Sequence, residues 1–144
     1  MPKLKILIAE DEPVSLRLME ASLTIWGYEA VSARDGAEAQ ALLRNGDIQI
    51  CIIDWEMPNV NGIELCKWIR GNCLPNPYIM MLTNRTKAED ILAGYAAGID
   101  SFVSKPFDRN VLRTRIAGAS NRFSVETAPL RVLGPLTAAE RNVN

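Results

Sequence analysis

The residues able to do chemistry stand at the ends of short apolar runs. Glu10-Asp11-Glu12 closes the run Ile6–Ala9, Asp54 follows Ile50-Cys51-Ile52-Ile53 directly, Thr83 follows Tyr78–Leu82, and Lys105 follows Ser101–Ser104. Two or three carboxylates gathered without a basic partner repel one another, which raises the cost of ionising them unless a hard divalent cation sits between them. Magnesium suits such a set, because it prefers oxygen ligands, keeps several waters and commonly takes one or two carboxylates plus phosphate. Asp54, held at a strand end, is a candidate nucleophile toward phosphorus. Lys105 offers a point charge to a phosphoryl oxygen, and the Thr83 hydroxyl a hydrogen bond to another. Metal, lysine and hydroxyl would share the charge of a transferring group, which is most of what phosphoryl transfer requires of a protein. Any one of these positions could be a polar strand end meeting solvent; four of them together make chance a poor account.

Composition narrows the chemistry further. The chain has no histidine, which excludes histidine triads, imidazole metal sites and an internal phosphohistidine step. A formal net charge of −1 and a pI near 5.5 leave no overall basic field for nucleic acid or an anionic membrane. No direct nucleic-acid contact and no membrane association are expected. The three cysteines are an odd number without metal-finger spacing, and neither a secretory signal nor a long apolar run stands in the chain. A reducing cytoplasm is the expectation, with Cys51 a small core residue.

The elements that must position these residues alternate in type. After Ile6–Ala9, the residues Leu16, Met19, Leu23 and Trp26 give a first helix one apolar stripe, with Gly27 at its C-terminal end. Tyr28–Ser32 reads as a second strand. Asp35-Gly36 leads into an alanine-rich helix that Asn45-Gly46 stops. The run Ile50–Ile53 is apolar without alternation, as a strand buried on both faces requires. A helix over Ile63–Arg70, a strand over Tyr78–Leu82, a helix over Lys87–Ala97 ended by Gly98, a strand over Ser101–Ser104 and a last helix with the stripe Leu112, Ile116 and Ala119 complete the pattern. Five strands alternating with five helices predict an α/β fold with an open, doubly wound parallel sheet. Ligands bind such sheets beyond the carboxyl ends of the strands, where the polar residues lie. With 144 residues and 48% hydrophobic content, the chain has room for one domain, expected over 1–124. Residues 125–144, with Pro129, Gly134, Pro135 and only a faint capping pattern at Thr137 and Glu140, read as a linker or flexible C-terminal tail.

These residues, in this order, resemble the receiver domain of two-component response regulators. The resemblance covers about Lys3 to Phe123 and rests on Ala9-Glu10-Asp11-Glu12, Asp54-Trp55-Glu56-Met57-Pro58 with Gly62, Leu82-Thr83, and Ser104-Lys105-Pro106-Phe107. It implies a flavodoxin-like sheet of order 2-1-3-4-5 and phosphorylation of Asp54 by a sensor histidine kinase or phosphotransfer protein. It implies magnesium bound by Asp11, Asp54 and the Glu56 backbone carbonyl, with Glu10 acting through ordered water. Thr83 and Phe102 would be the switch pair, and the Lys105–Pro106 bond would be cis. Such a domain is a switch that catalyses its own phosphorylation and dephosphorylation, and turns over no metabolite. Without the resemblance, Phe102 reads first as an ordinary core aromatic of the last strand; its pairing with Thr83 reverses that preference.

Two side chains next to the site bear on the phosphoryl lifetime. Asn84 follows Thr83 where the family usually carries a small residue, and Glu56 is expected to overhang the phosphoryl group with its negative charge. Trp68 reads as helix packing and Trp55 as partly exposed beside the site. The face of the fourth helix, fifth strand and fifth helix holds Lys87, Glu89, Asp90, Arg109, Arg113 and Arg115, which suits a homodimer on phosphorylation and equally a solvated surface. An output domain in a longer parent chain is a further expectation. Two rival readings are a phosphorylation-independent receiver-like binding module, which the intact Asp11, Asp54, Thr83 and Lys105 set disfavours, and an acid-nucleophile phosphohydrolase. The latter would carry an aspartate at position 56 and a cap, and has neither here.

Overall fold

The computed structural model describes residues 3–127. Its elements are β1 (Lys5–Ala9), α1 (Pro13–Ile25), β2 (Glu29–Ala33), α2 (Gly36–Leu43), β3 (Ile50–Asp54), α3 (Gly62–Asn72), β4 (Tyr78–Thr83), α4 (Ala88–Ala97), β5 (Ser101–Ser104) and α5 (Arg109–Thr127). The strands pair in parallel in the order β2-β1-β3-β4-β5. This is the doubly wound sheet expected from the alternation, in the flavodoxin-like order that the resemblance implies.

Period-two alternation along the inner strands divides the core in two. Leu7, Ala9, Cys51, Ile53, Ile79 and Met81 face the side covered by α2, α3 and α4. Ile6, Ile8, Ile50, Ile52, Met80 and Leu82 face α1 and α5, which contribute Leu16, Met19, Leu23, Leu112, Ile116 and Ala119. Every residue of β3 is buried, as the unbroken apolar run requires.

Local chemistry sets the helix starts. The Glu12 carboxylate accepts from Val14 N and Ser15 N, with Pro13 opening α1. Asp35 caps α2, and Asn61 and Glu64 form a reciprocal capping box at α3. The box moves the start of α3 to Gly62, one residue before the expected Ile63. β2 begins one residue later than expected because the Tyr28 N–H bonds Leu23 O and finishes the end of α1. The helix α5 crosses position 124, and residues 128–144 of the expected tail lie outside the described residues. Among the described residues, no helix is long and apolar enough to cross a membrane.

Candidate phosphoacceptor site

The sheet delivers the polar residues to one edge. Ala9 pairs with Ile53, Asp54 with Leu82, and Thr83 with Ser104, so Glu10, Asp54, Thr83 and Lys105 emerge at nearly one level. Backbone bonds Glu10 N to Ala33 O (3.0 Å) and Lys105 N to Thr83 O (3.1 Å) extend the strand pairing past the assigned ends. Glu10, Asp54 and Thr83 are buried, and Asp11 is exposed at the mouth.

The Lys105 ammonium donates to Asp54 Oδ2 at 2.9 Å and stands 3.7 Å from Glu10 Oε1. Asp54 Oδ1 accepts from the Glu56 N–H at 3.2 Å, which draws the Glu56 peptide to the pocket. One carboxylate oxygen from each of Glu10, Asp11 and Asp54 lies within 4.8 Å of the others. Burial, reinforced by Asp54, raises the Glu10 carboxyl to about 7. For Lys105, burial pulls the ammonium pKa down, but the hydrogen bond and charge of Asp54, with Glu10 and Asp11 behind it, outweigh burial and raise it. One lysine cannot balance three carboxylates, and the buried Glu10 Oε1 has no hydrogen-bond partner. The donor set is all oxygen and partly uncompensated, which fits a hard divalent cation.

Thr83 Oγ1 accepts the Arg85 N–H at 3.0 Å. Phe102 is half-buried, packs edge-on against Tyr95 at 5.2 Å between ring centroids, and lies 6.4 Å from Trp55. The Lys105–Pro106 peptide is cis. The four strand ends and the carboxylates of Glu10, Asp11 and Asp54 therefore come together, whereas Glu12, next to them in sequence, is turned away to cap α1.

Two expectations are corrected, and a third side chain gains a partner. Trp55 is 6% exposed rather than partly exposed, because its N–H still bonds Leu82 O (3.1 Å); pairing runs one residue past Asp54 and turns the ring into the core. The Glu56 carboxylate is paired: its Oε2 accepts from Arg85 Nη2 at 2.6 Å and Nε at 2.8 Å. Arg113 lies with its guanidinium 5.8 Å from the Trp26 ring centroid, which directs it toward the end of α1 and away from the α4–β5–α5 face. Arg85 is the residue that sequence reasoning missed. Its guanidinium also covers Trp55 at 4.5 Å and stands 3.5 Å from Asp90 Oδ1. The signal was available: Arg85 follows Thr83 by two residues as Glu56 follows Asp54, on adjacent strands.

Comparison with known proteins gives a consistent result. Residues 6–117 match the response regulator receiver domain. The chain is 35% identical over 129 residues to a chemotaxis protein CheY homolog of Campylobacter jejuni, covering 87% of this chain and 98% of that protein. It is 36% identical over 121 residues to the uncharacterized transcriptional regulatory protein YrkP of Bacillus subtilis, covering 84% of this chain but 51% of the relative. The chain thus spans about half the length of the curated relatives of that kind. The chemotaxis protein CheY4 of Vibrio cholerae has the same fold, with a TM-score of 0.75 at 28% identity over 81% of this chain and 98% of that one.

Proposed function

Because the chain belongs to the response regulator receiver domain family, a class of signalling phosphoacceptors rather than metabolic enzymes, we propose that Asp54 accepts a phosphoryl group from a histidine of a sensor kinase or phosphotransfer protein. The observation that carries this reading is the 2.9 Å contact of Lys105 Nζ with Asp54 Oδ2 beside the Glu10–Asp11 pair. An Asp54 oxygen attacks phosphorus, the phosphorus–nitrogen bond of the donor breaks, and the imidazole leaves with its electron pair. Asp11, Asp54 and the Glu56 carbonyl, with Glu10 behind them, would hold magnesium, which when bound would supply positive charge to the phosphoryl oxygens. Lys105 exchanges its carboxylate partner for a phosphoryl oxygen. The Thr83 hydroxyl gives up its bond from Arg85 N–H to reach another, and Phe102 follows into the space released.

Those contacts exist only in the modified state, so they bias the α4–β5–α5 face by their difference between states. Leu92, Tyr95 and Val111 are exposed there and suit a homodimer or a partner's groove. We read residues 1–124 as the receiver and 125–144 as a linker, with any output domain belonging to a longer parent protein of the kind found in the double-length relatives. The test is incubation with magnesium and a small acyl phosphate, read by intact mass and by size. A magnesium-dependent gain of one phosphate is expected; no gain with several donors would favour the phosphorylation-independent binding module.

Two predictions arise here. Magnesium competes with the proton that Glu10 retains up to about 7, so magnesium affinity rises with pH by up to about tenfold between pH 6 and 8. Titration of Trp55 fluorescence with magnesium checks this, and Glu10→Gln flattens the profile. The second concerns Val14, Leu18, Ala21 and Ile25, an exposed apolar stripe on α1 that starts beside Asp11. A helix of the donor protein would cover it while presenting its histidine to the pocket. Leu18→Glu with Ile25→Glu should slow transfer from a phosphorylated protein donor at least about tenfold and leave small-donor phosphorylation unchanged.

A further inference from the structure

The helix α4 is attached unevenly. Its only buried residues are Gly94 and Ala97, both in the C-terminal half. Its N-cap, Lys87, makes no side-chain capping bond, although α1, α2 and α3 are each capped by a side chain. The C-terminal end is anchored. Arg70 Nε donates to Gly98 O at 2.8 Å, and the same guanidinium holds Asn76 Oδ1, Pro77 O and Asp100 Oδ2 at 2.7–2.8 Å. Asp100 Oδ2 also accepts from Ile79 N at 2.8 Å, so this anchor is tied into the sheet. Gly98 is left-handed (φ +106°) and a Cβ there would lie 2.5 Å from Arg70 Cγ, so the guanidinium stem packs directly on the turn.

At the other end the first turn is held by one side chain from the site. Arg85 Nη1 stands 3.5 Å from Asp90 Oδ1, while Nη2 and Nε hold Glu56 and the guanidinium plane covers Trp55. Resting on the proposed phosphorylation of Asp54, we propose that α4 is a lever with a fixed point at Gly98, held by Arg70, and a releasable latch at Asp90, held by Arg85. The latch reports on the acceptor because Arg85 is shared with Glu56, two residues from Asp54. A phosphoryl group adds negative charge on the Glu56 side and removes the Thr83 acceptor from the Arg85 N–H. Both changes draw Arg85 from Asp90, and the first turn of α4 comes free. An exposed ion pair of this length is weak, as a latch that one phosphoryl group must open needs to be. The segment it frees leads directly into Ile91 and the exposed Leu92, one turn before Tyr95 of the signalling face.

Amide exchange by NMR on the whole chain tests the lever. In unmodified protein, Asp90→Asn should speed exchange at Asp90, Ile91 and Leu92 about fivefold. Glu89→Gln makes the same charge change in the same turn without touching the latch, and should stay within about twofold of wild type. Phosphorylated wild type should match Asp90→Asn, phosphorylation should add little in that variant, and the amides of Gly98 and Ile99 should not change in any sample. Equal exchange in Asp90→Asn and Glu89→Gln would overturn the latch, as would unchanged exchange in wild type whose mass shows full modification of Asp54. A protein that gains no phosphate at all would instead sink the proposed function, and the comparison of the two unmodified variants would still decide the latch.

Discussion

Asp54→Asn is expected to abolish the magnesium-dependent gain of phosphate while leaving the fold in place. The amide matches the carboxylate in size but is a poor nucleophile and a weaker metal ligand, so the rate should fall at least about a thousandfold, below detection by intact mass. Two charge effects oppose each other in the unmodified protein. Lys105 loses the acceptor 2.9 Å from its ammonium, and Glu10 loses a like-charged neighbour that helps to hold its carboxyl near 7. Their difference should keep stability within about 1 kcal/mol of wild type, which denaturant unfolding measures. A phosphate gain that survives this substitution would place the acceptor elsewhere.

The second large effect concerns a residue with no side chain. A Cβ on Gly62 would lie 2.7 Å from Asp54 O, 2.8 Å from Trp55 Cα and 3.0 Å from Met81 Sδ. Two of these are backbone atoms of the acceptor strand and cannot swing aside. The Gly62 N–H also closes the loop by bonding Trp55 O at 2.9 Å. Gly62→Ala must therefore push α3 off β3, at about 2 kcal/mol, or roughly thirtyfold in the folding equilibrium. Because the displaced loop carries Glu56, magnesium affinity should fall with stability. Denaturant unfolding with and without magnesium checks both. A variant as stable as wild type would mean that the loop relaxes freely and does not set the site's geometry.

The contrast between the two positions shows what could be read in advance. Asp54 was legible because an aspartate that ends a fully apolar run has one place to go, the carboxyl edge of a buried strand. Gly62 was legible only as a member of the motif that carries the family resemblance, since the contact that makes it indispensable is with backbone eight residues away. Trp55 was misjudged for a related reason. Whether strand pairing ends at residue 54 or 55 depends on Leu82 O in the neighbouring strand, and that one bond decides whether the ring faces solvent or core.

The alternation of strands and helices, the burial of β3, and the gathering of Glu10, Asp11, Asp54, Thr83 and Lys105 at one edge all follow from the order of residues along the chain. Hydrophobic period and strand polarity are local properties, and in a parallel sheet they place every strand end on the same side. Which long charged side chains meet is settled instead by the packing of the folded chain. Arg85 could have faced solvent, Arg70 could have remained on its own helix, and Arg113 could have stayed on the signalling face. A flexible cation takes its partner from whichever loops arrive within a few ångströms, and that depends on how the helices pack rather than on any spacing along the chain.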